Sequence, residues 1–203
     1  MTTAGESGMI TTNDEKLWKR AWSYRDHGRS YGAIYRREHA PGYRWIYESL
    51  GTNARLTEMQ SALGRRMLRR LNADVERRRR YAARLNEKFI QTPGLRVTLP
   101  PDHVEHSYYK YYVFLQPEKL RDGWDRDRIM ASIVAEGVAC YSGSCSEIYR
   151  EKAFAGMRPQ RRQPIAKELG ETSLMFLVHL TVSDADIGDT ISAVRKVMEH
   201  AAR

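Results

Sequence analysis

Apolar residues in the middle of the chain recur three or four positions apart, the spacing that places them on one face of a helix. They fall into two sets: Met59, Ala62, Leu63, Met67 and Leu71, followed by Val75, Ala82, Leu85 and Phe89. Between the sets, Asn72 to Asp74 can bend the chain or restart the helix. Thr92-Pro93-Gly94 then forms a stop signal. The pattern predicts long helices that end by residue 92.

Strand and helix patterns alternate in the rest of the chain. Before the central helices, Met9–Thr12 predicts a short strand, and an apolar face beginning at Leu17 predicts a helix that starts after Asp14. Further along, strands are predicted at 108–115, 138–141 and 174–178, and helices at 126–136, 148–154, 164–169 and 187–201. The fold class is therefore α/β, with a first domain at 1–92 and a small α/β sandwich domain at 93–203.

The junction before the central helices has the residues of an anion site. Thr57 and Gln60 have the spacing of a capping box at a helix start. Just ahead of them lie Gly51, Asn53 and Arg55, near the positive end of the helix dipole. An ordinary capped helix after a loop explains the same residues, and the junction alone leaves both interpretations open.

Residues 24–50 predict a long irregular loop that is rich in Tyr, Arg, His and Gly. Aromatic rings alternating with arginine suit stacking on a nucleotide-like ligand or on single-stranded RNA. The alternative is a loop that packs its own aromatic side chains beneath it or against a partner subunit.

Composition narrows the class of protein. The 203 residues carry a net charge of +9, with 41% hydrophobic and 29% charged residues, which is a globular composition. A basic balance favours nucleic acid, acidic membrane surfaces or phosphorylated small molecules as partners. Arginine runs at 65–70 and 77–84 are either a solvated helix face or a nucleic-acid groove.

Several classes are excluded by missing patterns. The first residues lack a basic start and an apolar core, so we expect no secretory signal, and no apolar run is long enough for a membrane span. Cys140 and Cys145, spaced C-x4-C, are expected to be reduced thiols of a cytoplasmic protein. The six histidines show no ligand spacing, so we expect no metal site.

Several motifs in order resemble those of a known family. GESGMITTND, RDHGR and GTNARLTEMQSALG, followed by RRRRYAARLNE, HSYYKYYVFL and SLMFLVHL, resemble the second half of the DegT/StrS-type sugar aminotransferases. These are pyridoxal-phosphate (PLP) enzymes of the aspartate-aminotransferase fold. The resemblance implies that residues 1–92 are the tail of the large cofactor-binding domain and that residues 93–203 are the small C-terminal domain.

The resemblance also implies site residues. The family's Schiff-base lysine would fall just before Met1, so we expect no catalytic residue within the chain. Asn53 takes the place of the asparagine that reaches the cofactor phosphate of the neighbouring subunit. His27, Arg55 and Tyr141 lie in segments that border the sugar-nucleotide site of similar enzymes.

The function implied is part of a PLP-dependent aminotransferase that acts on a nucleotide-linked keto-sugar in amino-sugar biosynthesis. The chain is expected to be inactive alone and to work as a homodimer or beside a complementing N-terminal half. One alternative is a basic module that binds RNA or a partner protein. Another is a sugar 3-dehydratase-like relative, because relatives with histidine in place of the lysine are dehydratases.

Overall fold

A computed structural model of the protein describes residues 3–39, 41–42 and 44–203. The chain divides into two compact units, an N-terminal unit at residues 2–71 and a C-terminal unit at residues 72–203. The predicted domain boundary at 92/93 concerns the domains of a longer enzyme, and it stays a prediction.

Three α-helices begin in the N-terminal unit: α1 (Glu15–Arg25), α2 (Tyr31–Tyr35) and α3 (Glu58–Phe89). Asp14 caps α1 by accepting hydrogen bonds from the backbone of Lys16 at 2.8 Å and Leu17 at 3.1 Å. Helix α3 is continuous over 32 residues and extends across the division between the units. The bend or restart predicted at Asn72–Asp74 is therefore wrong, since the Asn and Asp side chains do not interrupt the backbone ladder.

The C-terminal unit contains a small antiparallel sheet and three further α-helices. In chain order these are β1 (Leu95–Val97), β2 (Tyr111–Leu115), α4 (Arg126–Ala135), β3 (Cys140–Tyr141), α5 (Pro164–Thr172), β4 (Ser173–Phe176) and α6 (Asp184–Ala201). Short 3-10 helices occupy Pro117–Lys119, Ile148–Arg150 and Lys152–Met157. The strands run in the order β1-β2-β4-β3, and Val113 of β2 faces Leu174 of β4.

The core of this unit lies between the sheet and the helices, with buried side chains from the second half of α3, from α4 and from α6. Side chains alternate along β2, so Tyr111, Val113 and Leu115 are buried while their neighbours are only partly covered. Phe89 of α3 packs edge-on against Tyr111, with ring centroids 6.0 Å apart, and lies 5.8 Å from the ring of Phe176. This contact fixes the end of α3 on the sheet.

Burial along α3 is uneven. Its buried residues are Asp74, Arg78, Tyr81, Ala82, Leu85 and Phe89. None of them precedes residue 74, and α1 contains no buried residue. The apolar face predicted at the start of α3 exists, but Met59 and Leu63 on it are 82% and 47% exposed.

The α/β class and most elements of the C-terminal unit agree with the sequence-based expectation, with small shifts at the element ends. The strand predicted at Met9–Thr12 is not formed, because these residues pair with no strand in the described chain. Strand β1 was not predicted, since three residues are too few to show an alternating pattern. The helix predicted at 148–154 is a pair of 3-10 helices.

Replacing Leu85 by Ala should destabilise the C-terminal unit by about 2–5 kcal/mol, because the side chain is fully buried and its loss leaves a cavity. Val134→Ala, at a half-exposed position of α4, is the matched control and should cost about 0.5 kcal/mol or less. Urea unfolding followed by circular dichroism measures both. Equal costs would contradict the core as described.

Candidate functional site

Two segments of the N-terminal unit dock against each other, and they carry three of the four residues predicted for the site. We call residues 23–29 and 47–55 the docked loop pair. His27 N–H donates to Thr52 O at 3.0 Å, Thr52 N–H donates to Tyr24 O at 2.7 Å, and Ala54 N–H donates to Arg25 O at 3.0 Å. His27, Asn53 and Arg55 are therefore held by backbone hydrogen bonds in one place.

Two glycines make this close approach possible. Gly28 has φ +82°, and a Cβ there would lie 1.7 Å from Ser49 O. A Cβ on Gly51 would lie 2.2 Å from Gly28 N. No side chain fits at either position, which explains why the RDHGR and GTNAR motifs both contain glycine.

A buried carboxylate organises the polar side chains of the loop pair. Asp26 is 5% exposed, and its Oδ1 lies 3.1 Å from Arg55 Nη1. Its Oδ2 lies 3.8 Å from Arg29 Nη1, and Arg29 also donates to Tyr47 Oη at 3.1 Å. Because a buried charge is costly unless it is paired, Asp26 fixes both guanidinium groups. The sequence interpretation missed Asp26 and Arg29, although an Asp between two Arg in RDHGR was a visible signal.

The neighbouring Arg55 orients the exposed side chain of Asn53. Arg55 Nε donates to Asn53 Oδ1 at 3.3 Å, which leaves the amide Nδ2 without a hydrogen-bond partner among the described residues. Both residues are exposed. The arrangement offers an amide N–H and a guanidinium side by side, a donor set suited to a phosphate.

His27 occupies an unusual backbone conformation. Its φ of +61° lies in the left-handed region, which non-glycine residues adopt rarely, and the hydrogen bond to Thr52 O holds it there. The residue itself is exposed. Strain of this kind persists where the surrounding structure enforces it, often at binding sites.

The predicted capping box at the start of α3 is confirmed. Gln60 N–H donates to Thr57 Oγ1 at 3.3 Å, and Thr57 N–H donates to Gln60 Oε1 at 3.1 Å. Glu58 places a negative charge in the first turn. The capping box occupies both the backbone N–H and the side-chain oxygen of Gln60. Asn53 and Arg55 therefore remain the clearest anion donors of this junction.

The aromatic residues of the loop pack on one another. The Tyr31 ring lies edge-on to Trp18 and Trp22, with centroids 5.1 Å and 5.2 Å away, and the Tyr35 ring lies 4.8 Å from Tyr31. Arg36 lies over the Tyr31 ring at 5.6 Å. This is the packing that the second interpretation of the loop describes. Tyr43 of the same loop lies outside the described residues.

The arginine run at 77–84 attaches α3 to its own unit. Arg77 Nη1 donates to Leu180 O, Arg79 Nε donates to His106 O, and Arg84 Nη1 pairs with Asp184 Oδ1 at 2.6 Å. Arg78 is buried and donates to the carbonyls of Tyr108 and Tyr109; burial lowers its pKa, although it remains a cation. These internal contacts reduce the support for a nucleic-acid groove here.

Tyr141, the fourth predicted residue, lies in the C-terminal unit on edge strand β3. Its backbone pairs with Met175, and its side chain is 48% exposed. The chain continues from it into an open groove of about 660 Å³ that is lined mainly by serine, glutamate and arginine side chains. The lining includes Arg126, Ser142, Ser144, Ser146, Glu147 and Arg162.

Glu147 connects two segments that line this groove. It accepts hydrogen bonds from Arg162 Nε at 2.9 Å and from Tyr149 Oη at 2.5 Å, and Arg162 Nη2 contacts its second oxygen. The hydrogen bonds from Arg162 and Tyr149 lower the pKa of Glu147 from 4.5 to about 2. The carboxylate therefore stays charged over a wide pH range and ties residues 147–149 to residues 162–163.

Other reactive groups are scarce in the described part of the chain. It contains no group of three or more His, Cys, Asp or Glu side chains placed to hold a metal ion, and no helix in it is long and apolar enough to cross a membrane. Both cysteines are free thiols. Cys140 is buried, which raises its pKa to about 12, whereas Cys145 is exposed.

The hydrogen bonds around Glu147 should make the free energy of unfolding depend on pH in the acid range. Because its folded pKa lies below its unfolded value, Glu147 contributes stability above about pH 4.5, and that contribution falls as the pH approaches 2. Glu147→Gln should remove this part of the pH dependence, while Glu118→Gln, at an exposed position, serves as the control. Urea unfolding at pH 3 to 7 measures the effect. An E147Q profile parallel to that of the unchanged chain would contradict the assignment.

Comparison with known proteins identifies the family of the chain. Residues 1–195 match the sequence profile of the DegT/DnrJ/EryC1/StrS aminotransferase family. The structure superposes on an aminotransferase from Psychrobacter cryohalolentis with a TM-score of 0.88 and 47% identity, over 93% of this chain and 50% of that one.

Two curated relatives are more distant. The spore coat polysaccharide biosynthesis protein SpsC of Bacillus subtilis is 28% identical over 201 residues, which is 97% of this chain and 51% of SpsC. The dTDP-4-dehydro-2,3,6-trideoxy-D-glucose 4-aminotransferase of Saccharopolyspora spinosa is 26% identical over 200 residues, 97% of this chain and 49% of that enzyme. The chain spans about half the length of these relatives, and it belongs to the DegT/DnrJ/EryC1/StrS aminotransferase family.

Proposed function

We propose that this chain forms the C-terminal half of a PLP-dependent aminotransferase that acts on a nucleotide-linked keto-sugar. One observation carries the proposal: this chain, a member of the family, presents the exposed Asn53 amide beside the Arg55 guanidinium, on loops fixed by buried Asp26. In this proposal, residues 1–92 belong to the large cofactor-binding domain and residues 93–203 form the small one.

The residues present fit the phosphate of PLP. Asn53 Nδ2 is a neutral donor with no other partner in the described chain, and the neighbouring Arg55 supplies positive charge. We assign the cofactor phosphate to Asn53, offered to the neighbouring subunit of a homodimer. When bound, PLP supplies the electron sink for amino transfer, and the protein supplies binding and orientation.

The remaining residues are assigned to the substrate. The guanidinium of Arg55 matches the diphosphate of a nucleotide-linked sugar, because its planar fork can bind phosphate oxygens in pairs. His27 lies in the same docked loop pair and can donate a hydrogen bond or accept one, and Tyr141 offers a half-exposed ring and hydroxyl. The name of the S. spinosa relative describes a dTDP-linked dehydro sugar as its substrate, which supports this class.

The lysine that forms the Schiff base with PLP in the family is expected in the half of the enzyme that has no counterpart in this chain. Within the chain, Lys16 and Lys19 lie on α1, where Lys19 Nζ pairs with Glu15 at 2.8 Å. We therefore propose that amino transfer needs the half of the enzyme that carries this lysine, and that the enzyme works in the cytoplasm. A histidine at the lysine position would instead give a dehydratase.

A chimera tests this assignment. The half of the P. cryohalolentis aminotransferase that has no counterpart here is fused in line ahead of this chain, and PLP retained after gel filtration is measured by absorbance. Asn53→Ala should weaken PLP retention by about tenfold or more, equivalent to about 1.4 kcal/mol for one lost hydrogen bond to a charged group. Asn53→Asp should weaken it at least as much, because it adds a negative charge beside a phosphate.

Asn72→Ala is the control for this experiment, since Asn72 is also exposed but lies within α3. It should leave PLP retention unchanged. The chimera should also transfer an amino group from glutamate to a dTDP-linked 4-keto sugar. Equal PLP retention by N53A and N72A would remove Asn53 from the phosphate site, and a chimera that binds PLP without amino transfer would refute the proposed reaction.

A further inference from the structure

The open groove that follows Tyr141 contains an arginine with an unsatisfied buried donor. Arg126 is the first residue of α4 and is among the residues that line the groove of about 660 Å³. Its side chain is only 19% exposed, and its Nη1 is buried without a hydrogen-bond partner among the described residues. Because a buried donor without an acceptor is costly, Arg126 marks a place where an acceptor from outside the chain would be stabilising.

The other two arginines that line the groove have internal carboxylate partners. Arg162 Nε donates to Glu147 Oε1 at 2.9 Å, and Arg162 Nη2 lies 3.2 Å from Glu171 Oε1. Arg150 Nη1 lies 3.5 Å from Glu147 Oε2. Arg126 pairs through Nε with the carboxylate of the next residue, which is 73% exposed, and a pair with so exposed a partner is weak. Of these three arginines, Arg126 is therefore the one best able to bind an added anion.

The loop of the groove at residues 142–146 is fixed by contacts with the sheet. Gly143 has φ +87°, and a Cβ there would lie 2.4 Å from the ring of Tyr112 on β2. Ser144 N–H donates to Tyr112 Oη at 3.3 Å. The loop therefore holds a defined position opposite the arginine, and its serine hydroxyls suit a ligand that carries several polar groups.

We propose that this groove is a subsite for a substrate group that carries a carboxylate, bound by Arg126 and bordered by the serine hydroxyls of residues 142–146. The proposal rests on the proposed function and narrows its substrates. The planar guanidinium matches a carboxylate in shape as well as in charge. Amino transfer from glutamate to a keto-sugar has two sources of this group, the amino-acid donor and an acidic sugar.

Charge in the groove favours a carboxylate over a phosphate. Glu147, Glu151 and Glu171 also line it, so the only cation left for a ligand is the one at Arg126. A phosphate dianion would bring two negative charges close to these three carboxylates, where like charges repel. A carboxylate brings one charge, which Arg126 matches. Binding should weaken as salt is raised, because the groove is open to solvent.

Binding can be measured on the chain itself, because the groove lies within the C-terminal unit. The isotope-labelled chain is titrated at low salt with D-glucuronate, L-glutamate, neutral D-glucose and inorganic phosphate, and its signals are followed by heteronuclear NMR. We expect saturable shifts at the amides of residues 142–146 with at least one of the two carboxylates. Shifts with glucuronate alone would identify an acidic sugar as the source, and shifts with glutamate alone would identify the amino donor.

Three results of this titration would overturn the proposal. The first is the absence of a saturable shift with either carboxylate. The second is binding of glucose as tight as that of glucuronate, since the carboxylate would then contribute nothing. The third is equal affinity for inorganic phosphate, since the groove would then not select a carboxylate.

Variants test the role of Arg126. Arg126→Gln should weaken carboxylate binding by about tenfold or more, because it removes a charge-assisted hydrogen bond. Arg126→Lys should restore only part of the binding, because an ammonium keeps the charge but not the planar fork. It also replaces R126Q in the comparison if circular dichroism shows that R126Q does not fold.

Arg195→Gln is the matched control. It removes the same charge from helix α6, where the Arg195 side chain is 62% exposed. It should bind carboxylates as the unchanged chain does. Equal weakening by R126Q and R195Q would indicate a general effect of net charge and would overturn the proposal.

The subsite and the proposed function can fail separately. Carboxylate binding that depends on Arg126, together with a fused chimera that transfers no amino group, would support the subsite and refute the proposed function. An active chimera in which R126Q leaves the KM for glutamate and the KM for an acidic keto-sugar unchanged would support the function and overturn the subsite.

Discussion

The packing of one half of α3 onto the small sheet is the interaction on which the C-terminal unit depends. Phe89 contacts the rings of Tyr111 and Phe176, and Tyr111 Oη donates to Asn86 Oδ1 at 2.8 Å. Arg77 and Arg79 add hydrogen bonds from the helix to surrounding loops, and Arg84 adds one to the start of α6. The same helix continues without a break into the N-terminal unit, where its apolar side chains lose that cover. Helix α3 is thus well covered in its second half and only partly covered in its first half.

The candidate site depends on a second constraint, the buried charge of Asp26. Its ion pairs with Arg29 and Arg55, together with the close contact of Gly28 and Gly51, fix the loop that presents Asn53. Removing one partner of a buried pair leaves an uncompensated charge, so the conformation of this loop depends on the Asp26 carboxylate. The side chains of Asn53 and Arg55 are therefore positioned by contacts within the chain itself.

Much of the fold and of the candidate site could be predicted from the sequence. Periodicity located the apolar faces of α3, α4 and α6, and the Thr57/Gln60 spacing predicted a capping box that the structure contains. The family motifs located Asn53, His27 and Arg55, which the structure brings into one docked loop pair. The strand predicted at Met9–Thr12 is not formed, because an isolated strand is unstable and the described chain supplies no partner for these residues.

Other features depend on tertiary contacts that no local pattern records. The role of Asp26 follows from its burial beside the guanidinium groups of Arg29 and Arg55. Arg55 is distant from Asp26 in the sequence, and the motif RDHGR does not show which of its two arginines forms the ion pair. The arginine run has the pattern of a solvated face or a nucleic-acid groove, but its members reach distant carbonyls, from 27 positions away for Arg79 to 103 positions away for Arg77. Nor does periodicity show that only the second half of an apolar stripe is covered.

Amide hydrogen exchange along α3 tests most directly whether this chain is one half of a shared fold. In the chain alone, amides of residues 78–88 should be strongly protected, while those of residues 62–70 should exchange much faster, because local stability follows the burial around each segment. Adding the complementary half should slow exchange in residues 62–70 with little change in 78–88. Uniform strong protection along α3 in the chain alone would contradict the account, since the first half of the helix would then need no partner.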